Sequence, residues 1–340
     1  MVNFYKNHHH HHHHYYYYYY YYYYYHIYYE GAVPFLTALL ASQNANIREQ
    51  SAWCLGNIAG DGPALRDIVL SSGALPPLVA SISQPANIGL LRNCTWALSN
   101  FCRGKPQPHL SVVAPALPVL AGIIQQCNDQ TTIVDATWAL SYISDGDNSR
   151  IQAVIDHNVI PCLINMLNSG KGVIMTPALR TLGNIVSGDD SQTQFVVNNN
   201  VLPALVPLLS NPKKNIRKET CWMLSNIAAG SQEQLSLLMN TKDLIPRVLE
   251  QLSSSSSSIR KEACWVIANI ANDGNKNNVT RIIEYGAIRP LCDLLVEDVR
   301  TVMIAMDAIE AMLKTSSDIS RVTQLIEEAD GVDKLEALQG

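Results

Sequence analysis

The sequence predicts an all-α protein, a right-handed α-solenoid, because three kinds of residue recur with one period. The five tryptophans of the 340-residue chain are separated by 43, 42, 84 and 43 residues. Prolines recur every 42 to 44 residues, and glycine-containing turns often follow the tryptophan segments. A period of about 20–50 residues is the signature of stacked structural repeats. The chain is therefore predicted to be an array of helical units.

The prolines predict where each repeat begins. Proline at the first turn of a helix loses no hydrogen bond, so a proline in front of an apolar run marks a helix start. The recurring prolines are Pro34, Pro76, Pro118, Pro161, Pro203, Pro246 and Pro290. We therefore expect seven equivalent helix starts along the chain.

Each unit is predicted to contain three helices. The helix that carries the tryptophan, as in residues 216–227, follows the proline by about 19 residues and ends near a glycine-containing turn such as 60–62. A shorter stretch such as 191–197 completes the unit. Three helices in such a repeat are typical of an armadillo-type unit, whose stack has one continuous core and a long concave groove. A HEAT-type repeat of similar length is the alternative.

The repeats occupy only part of the chain. Residues 1–30 form a low-complexity leader with seven consecutive histidines and eleven consecutive tyrosines, and we expect this leader to be disordered. Residues 31–340 are predicted to form one armadillo-repeat solenoid of about seven units, of which the first and the last are partial.

Tryptophan and asparagine recur four residues apart, so each pair projects from one face of a helix. We call these positions the Trp/Asn ladder: Trp53/Asn57, Trp96/Asn100, Trp222/Asn226 and Trp265/Asn269. Acidic residues share this stripe, either after the pair or three residues before a tryptophan: Asp61, Asp273, Asp135, Glu219 and Glu262. Aliphatic residues beside each tryptophan supply a separate core face, and a buried asparagine amide is costly. We therefore expect an exposed ladder.

An exposed ladder of this composition suits an extended basic peptide. Asparagine amides can bond to the peptide main chain, and neighbouring indoles can accept the methylene stems of lysine or arginine, with a cation–π contribution of about 0.5–2 kcal/mol each. Carboxylates can then bind the charged ends. The predicted function is therefore peptide binding.

Arg180 interrupts the ladder, since it occupies a tryptophan position while Asn184 retains the amide. A cation at this point repels a basic peptide and is predicted to divide the groove into two acceptor sites. The alternative is that Arg180 forms a local salt bridge, for instance to Asp189 or Asp190.

Other functions are disfavoured by composition and motifs. Beyond the leader the chain has only two histidines, His109 and His157, and it has no phosphate-binding loop, zinc-protease helix or metal-spaced Cys/His set. We therefore predict that the chain is not an enzyme and has no cofactor and no metal. A net charge of -5 disfavours nucleic acid, and no apolar run predicts membrane insertion. Eight cysteines without a CxxC pair predict reduced thiols, as in the cytosol or nucleus.

Several ladder segments resemble the importin alpha (karyopherin alpha) family of nuclear import adaptors. The similar segments are residues 53–61, 96–104, 138–146, 178–188 and 260–265, and the resemblance runs from about Glu30 to Gln339. It implies an adaptor of the cytoplasm and nucleus that binds the lysine- and arginine-rich nuclear localisation signals of cargo proteins.

The resemblance also implies two binding sites. The major site would comprise Trp53, Asn57, Asp61, Trp96, Asn100, Asp135, Trp138 and Tyr142, with Asp61 receiving a lysine. The minor site would comprise Arg180, Asn184, Trp222, Asn226, Glu262, Trp265 and Asn269.

The chain departs from the family pattern at both ends. The family has a basic importin-beta-binding arm and about two repeats before the region that begins here near Glu30, and its export-receptor surface lies on a last repeat that is incomplete here. Asp307 and Ala311 stand where the last tryptophan and asparagine would fall. We therefore expect a truncated importin alpha. The alternative is an armadillo scaffold for adhesion or signalling partners without import activity.

Overall fold

A computed structural model describes residues 31–273 and 275–338, with the side chain of Asp273 left out. The leader at residues 1–30, for which we predict disorder, lies outside the described residues. Within the described ranges every regular element is an α-helix or a short 3-10 helix. The predicted all-α fold class is therefore confirmed.

The described chain divides into two compact units, one ending at Ile123 and the other beginning at Ile124. The helices of the first unit are Ala32–Leu39 (α1), Ala45–Gly60 (α2), Pro63–Ser71 (α3), Leu75–Ser83 (α4), Ile88–Cys102 (α5), Leu110–Val113 (α6) and Leu117–Gln126 (α7), the last of which crosses the boundary. A single array of seven repeats across both units stays a prediction.

The second unit continues the same three-helix pattern. Its helices are Gln130–Ser144 (α8), Asn148–Ile155 (α9), Ile160–Leu167 (α10), Gly172–Ile185 (α11), Asp190–Asn198 (α12), Val201–Leu205 (α13), Lys214–Ala228 (α14), Gln232–Asn240 (α15), Leu244–Leu252 (α16), Ser257–Asp273 (α17), Lys276–Glu284 (α18), Ile288–Asp293 (α19), Val299–Thr315 (α20), Ile319–Glu328 (α21) and Gly331–Ala337 (α22). Short 3-10 helices lie at Ala114–Ala116, Val206–Ser210 and Leu294–Val296.

Local sequence explains where these helices start. Each of the seven recurring prolines lies at the second or third residue of its helix, so the predicted helix starts are confirmed. Polar side chains cap other helices: Asp129 accepts a hydrogen bond from the Thr132 amide, and Asp189 forms a capping box with Gln192. The helices therefore begin at prolines or polar capping residues, both of which favour a helix start.

The core lies between the successive helices that carry the ladder positions, here called the ladder helices. In the first unit α2 packs on α5, and in the second unit α8, α11, α14, α17 and α20 pack in sequence. The aliphatic residue two positions after each ladder position is fully buried: Leu55, Leu98, Leu140, Leu182, Leu224 and Ile267. Burial of each such side chain contributes about 1.5–3 kcal/mol. The predicted division between a core face and a ladder face is therefore observed.

The cysteines belong to this packing. All eight are unpaired, as predicted, and burial raises the pKa of the Cys94 and Cys264 thiols to about 12. Thiols with such pKa values stay protonated and unreactive at neutral pH.

Among the described residues, no single helix has the length and apolarity needed to cross a membrane. The consecutive helices α3 and α4, bent by 80° to one another, meet that test as a pair on length and composition alone.

Candidate functional site

In the first unit the ladder begins with an exposed tryptophan. Trp53 on α2 is 49% exposed, and Asn57 one turn later is also exposed and donates its Nδ2 to the Trp53 carbonyl at 2.8 Å. Asp61 is exposed at the C-cap of the same helix. These three predicted major-site residues therefore line one side of α2, with the carboxylate at its end.

The next ladder position fits closely against the first. The Cβ of a larger residue at Gly56 would lie 2.6 Å from Cζ3 of Trp96, so only glycine leaves room for the indole. Asn100 is buried and donates its Nδ2 to the Gly56 carbonyl at 3.1 Å. The glycine thus seats Trp96, and the amide joins α5 to α2.

In the second unit, α8 carries the remaining residues assigned to the major site. The rings of Trp138 and Tyr142 are stacked, with centroids 5.9 Å apart and planes inclined by 23°. Asp135, one turn earlier, is half-buried, and burial, with a smaller contribution from the Asp129 carboxylate, raises its pKa to about 6. Asp135 is therefore partly protonated just below neutral pH.

Arg180 contacts the next ladder helix. Its Cζ lies 5.8 Å from the centroid of the Trp222 ring, and its Nη1 lies 3.4 Å from Oε2 of Glu219. The alternative of a salt bridge is therefore observed, but its partner is Glu219 on α14 and not Asp189 or Asp190. Asp189 is engaged as the N-cap of α12. The ladder period places Arg180 opposite α14, away from the end of its own helix.

The amides of the second unit differ in their hydrogen bonding. Asn184 is buried and donates to the Ser141 carbonyl at 2.9 Å, and Asn269 donates to the Ser225 carbonyl at 2.9 Å. The Nδ2 of Asn226 is buried and has no hydrogen-bond partner among the described residues. Asn226 therefore offers a donor that the protein itself does not use.

A surface pocket of about 360 Å³ contains most of the predicted minor site. It is lined by Trp222, Ser225, Asn226, Lys261, Glu262, Trp265, Asn269 and Arg300. Trp265 is 37% exposed, whereas Trp222 is half-buried. Five of the seven predicted minor-site residues therefore meet in one pocket, and Arg180 adjoins it through Trp222.

Glu262 is the carboxylate of this pocket. Burial raises its pKa, while the neighbouring cations Lys218 and Lys261 act in the opposite direction and Glu219 adds to the increase. Glu262 is therefore a half-buried acceptor for a ligand cation, beside the indoles of Trp222 and Trp265.

The ladder is less exposed than the sequence predicts. Asn100 and Asn184 are buried, because the carbonyl groups of the preceding ladder helix satisfy their Nδ2 donors. Sequence reasoning also missed Lys261 and Arg300 as lining residues. Lys261 lies four residues before Trp265, and this spacing could have predicted that both residues line the pocket. The contribution of Arg300 depends on how α20 packs, which the spacing does not predict. Asp307 is exposed and Ala311 is buried on α20.

Comparisons with known proteins agree with this architecture. The armadillo/beta-catenin-like repeat family matches residues 30–60, 62–103, 147–187, 189–229 and 242–272. Importin subunit alpha-1b of Oryza sativa subsp. japonica is 45% identical over 318 residues, and importin subunit alpha-2 of Arabidopsis thaliana is 50% identical over 319 residues. Each match covers 91% of this chain and 59% of the relative, so the chain spans about three fifths of the length of these proteins.

Solved structures show the same fold. An engineered protein, 26% identical, superposes with a TM-score of 0.83 over 91% of this chain and 74% of its own. A designed armadillo repeat protein in complex with the peptide (KR)4 is 24% identical, with a TM-score of 0.55 over 82% of this chain and 99% of its own. The chain therefore belongs to the armadillo/beta-catenin-like repeat family, and over 91% of its length it is similar to importin alpha subunits.

Proposed function

We propose that the chain is a nuclear import adaptor, a binding protein without catalytic activity, that carries cargo between cytoplasm and nucleus. It binds lysine- and arginine-rich nuclear localisation signals on its ladder face. The observation that carries this proposal is the pocket of about 360 Å³ between α14 and α17, where two indoles, two ladder amides and one carboxylate meet.

Each wall of the pocket matches one part of a basic peptide. Trp222 and Trp265 present flat apolar surfaces on which the methylene stem of a lysine or arginine packs. The ring faces also attract the positive charge of that side chain. Glu262 accepts the charged end in a charge-assisted hydrogen bond. The pocket therefore binds a long cationic side chain in both its apolar and its charged parts.

The amide of Asn226 supplies the main-chain contact. A buried donor without a partner costs about 1–3 kcal/mol, and rotation of the Asn226 amide toward a peptide carbonyl in the pocket recovers this energy. Such a contact is independent of the side chain that the peptide carries. The pocket can therefore bind different signals in one register.

The residues proposed for the major site repeat this chemistry with different acids, on one helix of each unit. On α2 the indole of Trp53 is exposed and Asp61 lies two turns away, and on α8 Asp135 precedes the stacked rings of Trp138 and Tyr142. Association with importin beta is proposed only because the chain is similar to importin alpha subunits. No contact among the described residues bears on that association.

Titration of the full chain with peptides tests the proposal. A labelled bipartite lysine-rich peptide is titrated beside an acidic peptide of equal length, and fluorescence anisotropy reports binding. We expect only the basic peptide to bind, and Trp222→Ala or Asn226→Ala to weaken binding at least tenfold. Phe195→Ala, which removes an exposed aromatic ring from α12 outside the pocket, serves as the matched control.

Two results would contradict the proposal. Preference for the acidic peptide would favour the alternative of an adhesion or signalling scaffold. Binding of the basic peptide that is unchanged by both pocket variants would remove this pocket as its site.

A further inference from the structure

The pocket between α14 and α17 holds charges of both signs. Lys261 and Arg300 line it together with Glu262, and Lys218 lies close enough to lower the pKa of the Glu262 carboxyl. In the described ranges, none of these three cations has an ion-pair partner within 4.0 Å. The positive charges of the pocket are therefore available to a ligand.

The nearby carboxylates other than Glu262 are already engaged. Glu219 lies 3.4 Å from Arg180, which is an ion-pair distance, although its Oε2 accepts no hydrogen bond from the described residues. Asp298 acts on Lys261 at longer range, but its side chain caps α20 by accepting hydrogen bonds from the backbone amides of Arg300 and Thr301 at 3.1 and 3.2 Å. A ligand that neutralises only Glu262 therefore leaves Lys261 and Arg300 facing the pocket without an ion-pair partner within 4.0 Å among the described residues.

The carboxylate and the cations of the pocket can contact neighbouring residues of one short peptide segment. Lys261 directly precedes Glu262 in the chain and lies one helical turn before Trp265, a separation of about 5–6 Å between Cβ atoms. An extended peptide advances about 3.3 Å per residue. A peptide residue one or two positions from the cation at Glu262 therefore lies about 3–7 Å from it, and Lys261 and Arg300 line the same pocket as Glu262.

We propose, on the basis of the binding function above, that this pocket selects signals in which an aspartate or glutamate lies within two residues of the basic side chain bound at Glu262. Lys261 and Arg300 bind the ligand carboxylate, while Glu262 binds the ligand cation. A signal made only of cations instead meets repulsion from Lys261 and Arg300. The pocket thus recognises a mixed-charge segment within a basic signal.

Three peptides of equal length and equal net charge test this inference on the full chain. Each contains one Lys-Arg pair in a serine-rich context, and one aspartate lies two residues before the pair, two residues after it, or six residues away. We expect one of the two near-aspartate peptides to bind about two- to fivefold more tightly than the distant one at low salt, and we expect this gain to shrink as salt rises.

A pocket variant and a control variant assign the gain to the pocket. In the double variant Lys261→Gln with Arg300→Gln the ratio of affinities for near- and distant-aspartate peptides should fall to about one. Lys242→Gln, which removes an exposed cation elsewhere in the same unit, should preserve the ratio.

The outcomes separate this inference from the proposed function. Equal binding of the three peptides, or a gain that persists in the double variant, overturns the inference and leaves the adaptor proposal intact. Failure of all three peptides to bind the unaltered chain contradicts the proposed function itself.

Discussion

The indole of Trp222 packs directly over the backbone of Gly183, where a Cβ atom would lie 2.5 Å from Cζ3 of the ring. Gly183 is on α11 and Trp222 is on α14, so one ladder helix sets the position of the tryptophan on the next. The pair Gly56 and Trp96 shows the same arrangement in the first unit, with a separation of 2.6 Å. In both pairs, a glycine three residues after the ladder position of one helix leaves room for the indole of the next ladder helix.

Gly183→Ala should therefore weaken peptide binding. An alanine in a helix normally gains about 1 kcal/mol over glycine, but here its methyl group displaces a ring that lines the pocket, and such overpacking costs about 1–3 kcal/mol. Tryptophan fluorescence and titration with a basic peptide measure the two effects. Gly122→Ala is the control, because a Cβ there meets no atom within 4 Å. Unchanged peptide affinity in Gly183→Ala would show that the position of Trp222 does not matter for binding.

Asn184 and Asn226 should separate stability from binding. Asn184→Ala removes the hydrogen bond to the Ser141 carbonyl at 2.9 Å and should lower the free energy of unfolding by about 1 kcal/mol. Asn226→Ala removes a buried donor that has no partner among the described residues, so it should leave the free energy of unfolding unchanged or raise it by up to about 1–3 kcal/mol while weakening peptide binding. Urea unfolding and peptide titration are the measurements. The reverse pattern would contradict the assigned roles.

Arg180→Ala should strengthen binding of a basic peptide. The guanidinium of Arg180 covers the ring of Trp222 at 5.8 Å and pairs with Glu219, so it occupies groups that a ligand cation would use. Its removal frees the ring and the carboxylate, and the affinity should rise about two- to fivefold, the value of one exposed cation–π contact. Calorimetric titration measures the change, with Arg247→Ala on α16 as a control. Weaker binding would mean that Arg180 itself contacts the peptide.

Binding at Asp135 should depend on pH. Because burial raises the pKa of Asp135 to about 6, its carboxylate is ionised above that pH and increasingly protonated below it. Affinity for a basic peptide that uses this acid should therefore increase between pH 5 and pH 7.5. The effect on folding has the opposite sign: the group favours the folded state most below its unfolded pKa, and this contribution is lost as pH rises through about 6.

Asp135→Asn tests both effects. The variant should lose the part of the pH dependence of affinity that centres near pH 6, and it should unfold at higher denaturant concentration than the unaltered chain at pH 7.5. All ten histidines are present in both proteins, so the difference between the two profiles isolates Asp135. Identical pH profiles of the variant and the unaltered chain would show that Asp135 does not cause the pH dependence.

Period and local chemistry determined much of this structure. The spacing of the prolines and tryptophans predicts the repeats, and each proline does lie at the start of its helix, because these preferences act within one turn of a helix. The i, i+4 spacing also predicts that Trp222 and Asn226 share a face, and both line one pocket. Resemblance of the ladder segments to importin alpha predicts the observed similarity to importin alpha subunits.

Only the tertiary structure decided which partner each polar group has. The sequence places Asn184 and Asn226 at equivalent ladder positions, yet one donates to the preceding helix and the other has no partner in the described residues. Likewise, the sequence leaves open a salt bridge from Arg180 to Asp189 or Asp190, whereas packing brings Arg180 to Glu219 on α14. These contacts join residues about 40 positions apart, so they depend on how successive helices pack, which no local pattern specifies.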